Sequence, residues 1–230
     1  MNFEKNLQIL RKMTNMTQET LADKMNVSRQ TVSKWELGSI LPEVEKLVEL
    51  CEMFNCSIDE LIRGNMDYRN EAYSDIKIVT VAPFRYISYE VISREPEEDA
   101  ITHVENWAKQ LKIENPHIIG WDFPKVSQEQ QNVFHMHGYG SALVLADGED
   151  SNDIDAEIVS QNKQDYITIT LREKEGEEFE IIPNAYKALF TYMTINGIKQ
   201  KHDPAILSCY EHEYFDDKGV KFMDIYIAIE

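Results

Sequence analysis

The sequence has no long hydrophobic run and contains only three cysteines among its 230 residues. A helix that crosses the hydrocarbon core of a bilayer needs about 20 apolar residues in succession, so we expect no membrane partner. The first residues also lack the apolar stretch of a secretory signal peptide. Cys51, Cys56 and Cys209 are odd in number and show no metal-type spacing, so we expect reduced thiols and a cytoplasmic location.

Positive charge is scarce: 23 Lys and Arg residues stand against 41 Asp and Glu residues, and the formal net charge is -18. The imbalance is uneven along the chain. Residues 1–66 carry 8 basic and 10 acidic residues, which leaves 15 basic and 31 acidic residues for the remainder. An acidic domain repels nucleic acid and favours cationic partners, although a solvated acidic surface is the commoner explanation.

Two short helical patterns lie a few residues apart between Gln18 and Gly38. Their apolar residues share one face of each helix: Leu21, Ala22 and Met25 in the first, Val32 and Trp35 in the second. Asn26 tolerates the left-handed conformation of a tight turn, and Ser28 is a suitable N-cap for the second helix. This spacing is typical of a helix-turn-helix, with a small residue where the helices cross.

The stretch resembles the phage-repressor (Xre/Cro-like) helix-turn-helix family, whose second helix lies in the major groove of DNA. The resemblance implies a double-stranded DNA operator as partner, and a homodimer that reads two half-sites. It also implies that Arg11 and Glu36 tie the first helix to the recognition helix. The implied DNA-binding residues are Gln18, Ser28, Arg29, Gln30, Thr31, Ser33 and Lys34. The alternative is an ordinary small helical domain with an exposed polar face.

The rest of the chain changes from helical to strand-like patterning. Five helices are expected in about 64 residues, followed by a linker at 67–75 and a mixed domain at 76–230. Strands are expected at 76–81, 85–91, 118–122, 139–145, 154–159, 166–171, 206–215 and 220–229, and helices at 97–112 and 182–195. The order predicts an α+β protein: an all-α domain at 1–66, then two β-α-β-β modules related by a pseudo-twofold axis, with a groove between them.

Residues 76–230 resemble the GyrI-like effector-binding domain of multidrug-responsive regulators. Residues 180–190, 210–214 and 223–227 carry the resemblance, whereas Ser93-Arg94-Glu95-Pro96 departs from the family's glycine-containing turn. The resemblance implies that Glu211 binds a cationic, aromatic effector, because a carboxylate in an apolar cleft favours a bound cation. Glu213 is interpreted as an ordinary strand carboxylate. The aromatic residues available to line the site are Tyr89, Trp121, Phe190, Tyr210, Phe222 and Tyr226.

Several readings of the same residues stay open. The aromatic residues could be plain core, and the second domain could bind protein instead of a ligand. His135, His137, His202, Cys209 and His212 do not form a second pair with ligand spacing, so we expect no metal and no cofactor. Glu211 with a nearby tyrosine could hydrolyse a ligand. The fused DNA-binding domain favours a sensor over an enzyme.

Overall fold

The computed structural model describes residues 2–14, 16–64, 66, 72–123, 126–146, 148–149, 154–172 and 178–230, with only the backbone at 178–180. The helices are α1 (Phe3–Met13), α2 (Gln18–Met25), α3 (Arg29–Glu36), α4 (Val44–Met53), α5 (Ile58–Arg63), α6 (Pro96–Gln110), α7 (Gln128–Asn132) and α8 (Glu178–Asn196). The strands are β1 (Lys77–Val81), β2 (Phe84–Ser93), β3 (His117–Asp122), β4 (His137–Leu145), β5 (Val159–Gln161), β6 (Gln164–Arg172), β7 (Cys209–Phe215) and β8 (Lys221–Ala228).

Contacts divide the chain into two compact units. Unit 1 comprises Met1–Ile76 and Leu171–Lys199, and unit 2 comprises Lys77–Thr170 and Gln200–Glu230. The predicted α+β fold class is confirmed, with five helices before residue 65. The domain boundaries at 1–66, 67–75 and 76–230 stay a prediction, because α8 groups with α1–α5 in unit 1. Residues 67–71 of the expected linker, and most of the acidic turn expected at 147–153, lie outside the described residues.

The start of each helix in the helix-turn-helix segment is fixed by local chemistry. The side chain of Thr17 accepts a hydrogen bond from the backbone N–H of Thr20 at 3.0 Å, and Ser28 accepts one from Thr31 at 3.1 Å. Asn26 ends α2 in the left-handed conformation, with φ of 53°. Side-chain caps satisfy the free N–H groups at a helix start, which is why the two helices begin where the sequence predicts.

The core of unit 1 includes residues from α8 as well as from the first five helices. Its buried apolar side chains include Phe3, Leu7, Leu10, Leu21, Val32, Trp35, Leu50, Phe54, Leu61 and Ala188. Next to Ala188, the ammonium of Lys187 pairs with the carboxylate of Glu60 on α5. Tyr73 donates a hydrogen bond from its hydroxyl to the carbonyl of Ile181 at 3.2 Å. Helix α8 is therefore packed into the same body as α1–α5.

Unit 2 is built on an eight-stranded sheet with the order β1-β6-β8-β7-β3-β4-β2-β5. Strands β2, β3 and β4 occupy one half, and β6, β7 and β8 mirror them in the other half. The halves meet where Gly120 of β3 pairs with Glu211 of β7. This mirrored order is what two β-α-β-β modules related by a pseudo-twofold axis produce.

The two sides of the sheet differ in what covers them. On the helix-side face, Ile87 and Leu143 pack against Val104 and Ala108 of α6. On the opposite side, which we call the aromatic face, buried or half-buried side chains include Tyr86, Trp121, Tyr166, Tyr210 and Tyr226. Since successive residues of a strand point to opposite sides, the position of one residue fixes the side of all the others in its strand.

One expected strand is shifted. The segment 154–159 was predicted as a strand, but β5 begins only at Val159. Ile154, Ala156 and Ile158 instead pack against the core under α6. Their alternation therefore reflects packing of an irregular segment rather than pairing in the sheet.

The described residues contain neither a helix suited to span a membrane nor a cluster of metal-ligating side chains. No helix among them is both long enough and apolar enough to cross a bilayer. No three His, Cys, Asp or Glu side chains in the described part of the chain come close enough to hold a metal ion together.

Candidate nucleic-acid interface and candidate ligand groove

Helix α3 buries one side and exposes a polar side. Val32 and Trp35 are buried in the core of unit 1, whereas Arg29, Gln30 and Lys34 are exposed. Arg29, Gln30, Ser33 and Lys34 line a shallow depression of about 250 Å³. Four of the seven residues expected to bind DNA therefore lie together. Arginine and glutamine can each make bidentate hydrogen bonds to base edges, to guanine and adenine respectively.

The remaining expected DNA-binding residues have partners inside the protein. The hydroxyl of Ser28 caps α3 and lies 2.9 Å from the hydroxyl of Thr31. The amide of Gln18 donates to a carboxylate oxygen of Glu36 at 2.9 Å. These contacts hold the start of α2 and of α3 in place, and a role for the three residues at phosphates stays a prediction.

Glu36 is the residue that anchors α3 to its neighbours. Its carboxylate accepts from Arg11 Nε at 2.5 Å and Nη2 at 3.1 Å, and its backbone carbonyl accepts from Gln8 at 2.7 Å. The Glu36 side chain is only 4% exposed. Arg11 and Glu36 thus form a bidentate ion pair, as the family resemblance implies. With Glu36 neutralised, the exposed side of α3 carries only the positive charges of Arg29 and Lys34.

A groove on the helix-side face of unit 2 has a volume of about 250 Å³ and contains Glu211. It is lined by Ile101, Glu105, Pro116, Ile118, Ile119, Gly120, Tyr139, Glu211, Glu213 and Phe215. A second depression of about 400 Å³ shares Ile101 and Tyr139 with it and adds Glu97, Glu98 and Asp122. The groove is therefore both apolar and rich in carboxylates, which suits an organic cation.

Tyr139 forms the wall of this groove at its centre. A Cβ placed on Gly120 would lie 2.1 Å from the Tyr139 hydroxyl, so only glycine lets the phenol lie over β3. Burial first, and then the nearby charge of Glu211, raises the pKa of Tyr139 above its usual range. The phenol is therefore a neutral hydrogen-bonding group at physiological pH.

Glu213 differs from the interpretation made on sequence. It lines the same groove as Glu211, because β7 carries both side chains on the helix-side face. Lys221 of β8 pairs with it at 2.8 Å and offsets its charge. Glu213 is thus part of the groove rather than a surface residue apart from it.

The expected ligand-binding residues of unit 2 lie on both faces of its sheet. Tyr89 lies on the helix-side face, where its ring stacks on His103 at a centroid distance of 3.7 Å. Phe190 is a half-exposed residue of α8 in unit 1. Four others lie on the aromatic face, away from Glu211: Trp121, Tyr210, Phe222 and Tyr226. The reason is that successive side chains of a strand alternate between the two faces of the sheet. Tyr210 and Glu211 are neighbours on β7 and so point to opposite sides.

Sequence reasoning missed Tyr139, Gly120, Ile101 and Glu105 as parts of the groove. The sequence does contain a signal for two of them. A large aromatic lies among small residues of two adjacent strands: Tyr139 stands between Gly138 and Gly140 in β4, and Gly120 lies in β3. The positions from α6 could not be found in this way, since helical periodicity does not say which strand a helix covers.

Comparisons with known proteins cover different shares of the chain. Residues 7–61 match the helix-turn-helix family HTH_3. The HTH-type transcriptional activator BcrR of Enterococcus faecalis is 45% identical over 64 residues, which are 28% of this chain and 31% of that protein. The uncharacterised HTH-type transcriptional regulator YqaE of Bacillus subtilis is 34% identical over 62 residues, 27% of this chain and 53% of that protein. The matched segment thus spans about a third to a half of these relatives.

A solved structure extends the likeness to almost the whole chain, but as fold only. EcmrR, in its DNA complex within EcmrR-RPo, aligns with a TM-score of 0.50 and 13% identity, covering 96% of this chain and 80% of that one. Together with the buried face, the exposed polar face and the capped turn, the matches identify the first part of the chain. Residues 7–61 belong to the helix-turn-helix family.

Proposed function

We propose that the chain is a cytoplasmic DNA-binding transcription regulator, without catalytic activity, whose second part senses a small organic cation. One observation carries the first half of the proposal. Arg29, Gln30 and Lys34 are exposed together on α3, a helix held rigidly through Glu36. A rigid helix with two basic groups and an amide on its free side is the arrangement that base reading in the major groove needs.

Relatives support this half of the proposal. BcrR, a transcriptional activator, is 45% identical to this chain over 64 residues, and residues 7–61, which match the HTH_3 family, include α3. EcmrR, which has the same overall fold, has been solved in complex with DNA. A selection of binding sequences from random duplex DNA tests the proposal, because a regulator enriches one sequence motif. If no sequence motif is enriched, the proposal is contradicted.

The regulator is proposed to act as a homodimer through an apolar patch beside α3. The patch consists of large side chains that are 40–73% exposed: Leu37, Ile40, Leu41, Val44 and Val48. Contiguous exposed apolar surface of this kind marks interaction sites in soluble proteins. A second copy can cover it with the same patch, as in any twofold interface. Because the patch begins where α3 ends, such a dimer brings two recognition helices to neighbouring half-sites.

The effector is proposed to bind in the groove that contains Glu211. Support comes from the carboxylates of Glu105 and Glu211, the apolar walls formed by Ile101 and Ile118, and the neutral phenol of Tyr139. A cation bound there exchanges its hydration for carboxylate contacts, and the apolar walls accept the rest of the ligand. A thermal-shift screen with lipophilic cations tests this. If no cation stabilises the protein, the alternative is favoured that the second domain binds another protein.

A hydrolytic function is the second candidate, because Glu211 and Tyr139 line one groove. A carboxylate and a phenol in reach of the same ligand can act as a general base and a hydrogen-bond donor. Mass spectrometry of the recovered ligand separates the two functions. An unchanged ligand supports sensing, whereas accumulation of a product that is absent without protein supports hydrolysis.

A further inference from the structure

A row of neighbouring aromatic rings, which we call the ladder, crosses β3, β7 and β8 on the aromatic face, and the planes of its first pair, His117 and His212, are tilted by 49°. The rings of His117 and His212 have centroids 4.1 Å apart, and those of His212 and Tyr214 are 5.3 Å apart. Tyr214 and Phe222 follow at 5.7 Å with an angle of 18° between their planes. The ladder thus runs from the middle of the sheet to the β7–β8 hairpin. All four of these side chains are at least partly exposed.

One carboxylate lies within this aromatic surface. Asp224 is the cross-strand partner of His212, and it stands two residues from Phe222 on one side and from Tyr226 on the other. Its oxygens accept hydrogen bonds from the hydroxyl of Thr170 at 2.6 Å and from that of Tyr226 at 3.4 Å. Asp224 is half-buried. Rings on both sides and hydrogen bonds from its neighbours hold the carboxylate in one place.

No lysine or arginine among the described residues forms an ion pair with Asp224. His212 is the cross-strand partner of Asp224, and burial lowers the pKa of its imidazole, so the ring is neutral at physiological pH. The neighbouring Tyr226 has its pKa raised to about 12, first by burial and then by the charge of Asp224. A half-buried carboxylate without counter-charge costs free energy that a bound cation recovers.

A buried hydroxyl on β6 also has no hydrogen-bond partner among the described residues. Thr168 lies on the same side of β6 as Thr170, and its Oγ1 has no hydrogen-bond partner among the described residues. Buried polar groups nearly always find a hydrogen-bond partner, so an unmet hydroxyl two residues from Thr170, which itself bonds Asp224, points to a missing polar contact. This observation is independent of the charge of Asp224.

We propose that the aromatic face holds a second ligand site, with Asp224 as its anion, for a planar aromatic monocation. The charge selects a cation, and the ring ladder selects a flat one, because aromatic rings attract cations and stack on flat ligands. A second copy of this chain is a poor occupant, since a chain with a net charge of -18 has little positive charge to offer. The site is separate from the Glu211 groove, because Asp224 and Glu211 lie on opposite faces of the sheet. It does not depend on the proposed sensing function.

The test uses the full chain and thioflavin T, a planar monocation that fluoresces when immobilised. Titration should detect binding to the Glu211→Gln protein, in which the groove has lost the charge of Glu211 while the aromatic face keeps Asp224. Asp224→Asn in that background should weaken binding about tenfold or more, as expected for loss of a charged contact. Asp217→Asn, which removes an exposed carboxylate at the nearby hairpin turn, is the matched control and should change affinity by less than about twofold. Equal losses in the two variants would overturn the proposal.

A neutral benzothiazole analogue of the same shape makes the test independent of any folding defect in the Asp224 variant. The Glu211→Gln protein should bind the cation about tenfold or more tightly than the analogue. Equal affinity for the two ligands would mean that no carboxylate contributes, and would overturn the proposal. Abolition of all thioflavin T binding by Glu211→Gln would do the same, because it would assign every event to the groove.

Discussion

Arg11 Nε and the carboxylate of Glu36 lie 2.5 Å apart although 25 positions separate them in the chain. Gln18 adds a hydrogen bond to the same carboxylate at 2.9 Å. Side chains from α1 and α2 therefore both contact one buried acid at the end of α3. A buried charge is tolerable only when it is paired, so these contacts must stay intact for α3 to keep its position.

Glu36→Gln should destabilise unit 1 by about 3 kcal/mol, because Arg11 then loses the charge that compensates it. Hydrogen exchange of the α3 backbone amides, measured in the full chain at increasing urea concentrations, reports this change. Glu52→Gln, an exposed change on α4, serves as the control and should stay within about 0.5 kcal/mol of the unchanged protein. Similar exchange in both variants would show that the ion pair does not anchor α3.

Val44→Glu should convert the proposed dimer to a monomer. It places two like charges in an interface that a twofold axis makes symmetric, while a glutamate at the start of α4 does not harm the helix. Sedimentation velocity reports the change. Ile78→Glu, at an exposed position of β1 outside the patch, should leave the dimer intact. If the Val44 variant sediments like the control, the patch is not the interface.

Acid should weaken the attachment of α8 within unit 1. The hydrogen bond from Lys187 is the largest cause that lowers the pKa of Glu60, from 4.5 to about 2. A carboxyl whose pKa is lower in the folded state contributes stability above pH 4.5 and loses it as the pH falls towards 2. In the Lys187→Met protein, the melting temperature should therefore fall less steeply between pH 4.5 and pH 2 than in the unchanged protein. The effect should be small, because both side chains are more than a third exposed.

Glu211→Gln should reduce the affinity for a cationic ligand of the groove by about ten- to a hundredfold, which corresponds to about 1.5–3 kcal/mol for a charged contact. Isothermal titration with a cation and a neutral isostere separates charge from shape. Glu90→Gln is the appropriate control, because Glu90 is exposed on β2 opposite Gly140 of the aromatic face. Equal losses in both variants would mean that only the overall negative charge matters.

Much of unit 1 could be predicted from sequence because its signals are local. Thr17, Asn26 and Ser28 act within a few residues of their own position, and the spacing of Val32 and Trp35 defines the buried side of α3. The packing of α8 could not be predicted. Its periodicity indicates a helix with an apolar side, but nothing in it specifies that Ala188 joins the core of α1–α5.

The ligand groove was harder because its residues come from different strands and a helix. Grouping Glu211 with Tyr210, Phe222 and Tyr226 overlooked the alternation along β7 and the cross-strand register with β8. That alternation is visible in sequence, whereas the pairing of Glu211 with Gly120 across the middle of the sheet is not. Long-range register depends on how the whole sheet assembles.

Arg29→Ala tests whether α3 reads DNA bases. Fluorescence anisotropy should compare the selected operator with variants at each base pair of one half-site. Loss of a bidentate contact should cost on the order of 1–3 kcal/mol and abolish the preference at one base pair. Arg63→Ala removes an exposed arginine on α5 and should leave the preference unchanged. If Arg29→Ala behaves like Arg63→Ala in affinity and in base preference, α3 is not the reading helix.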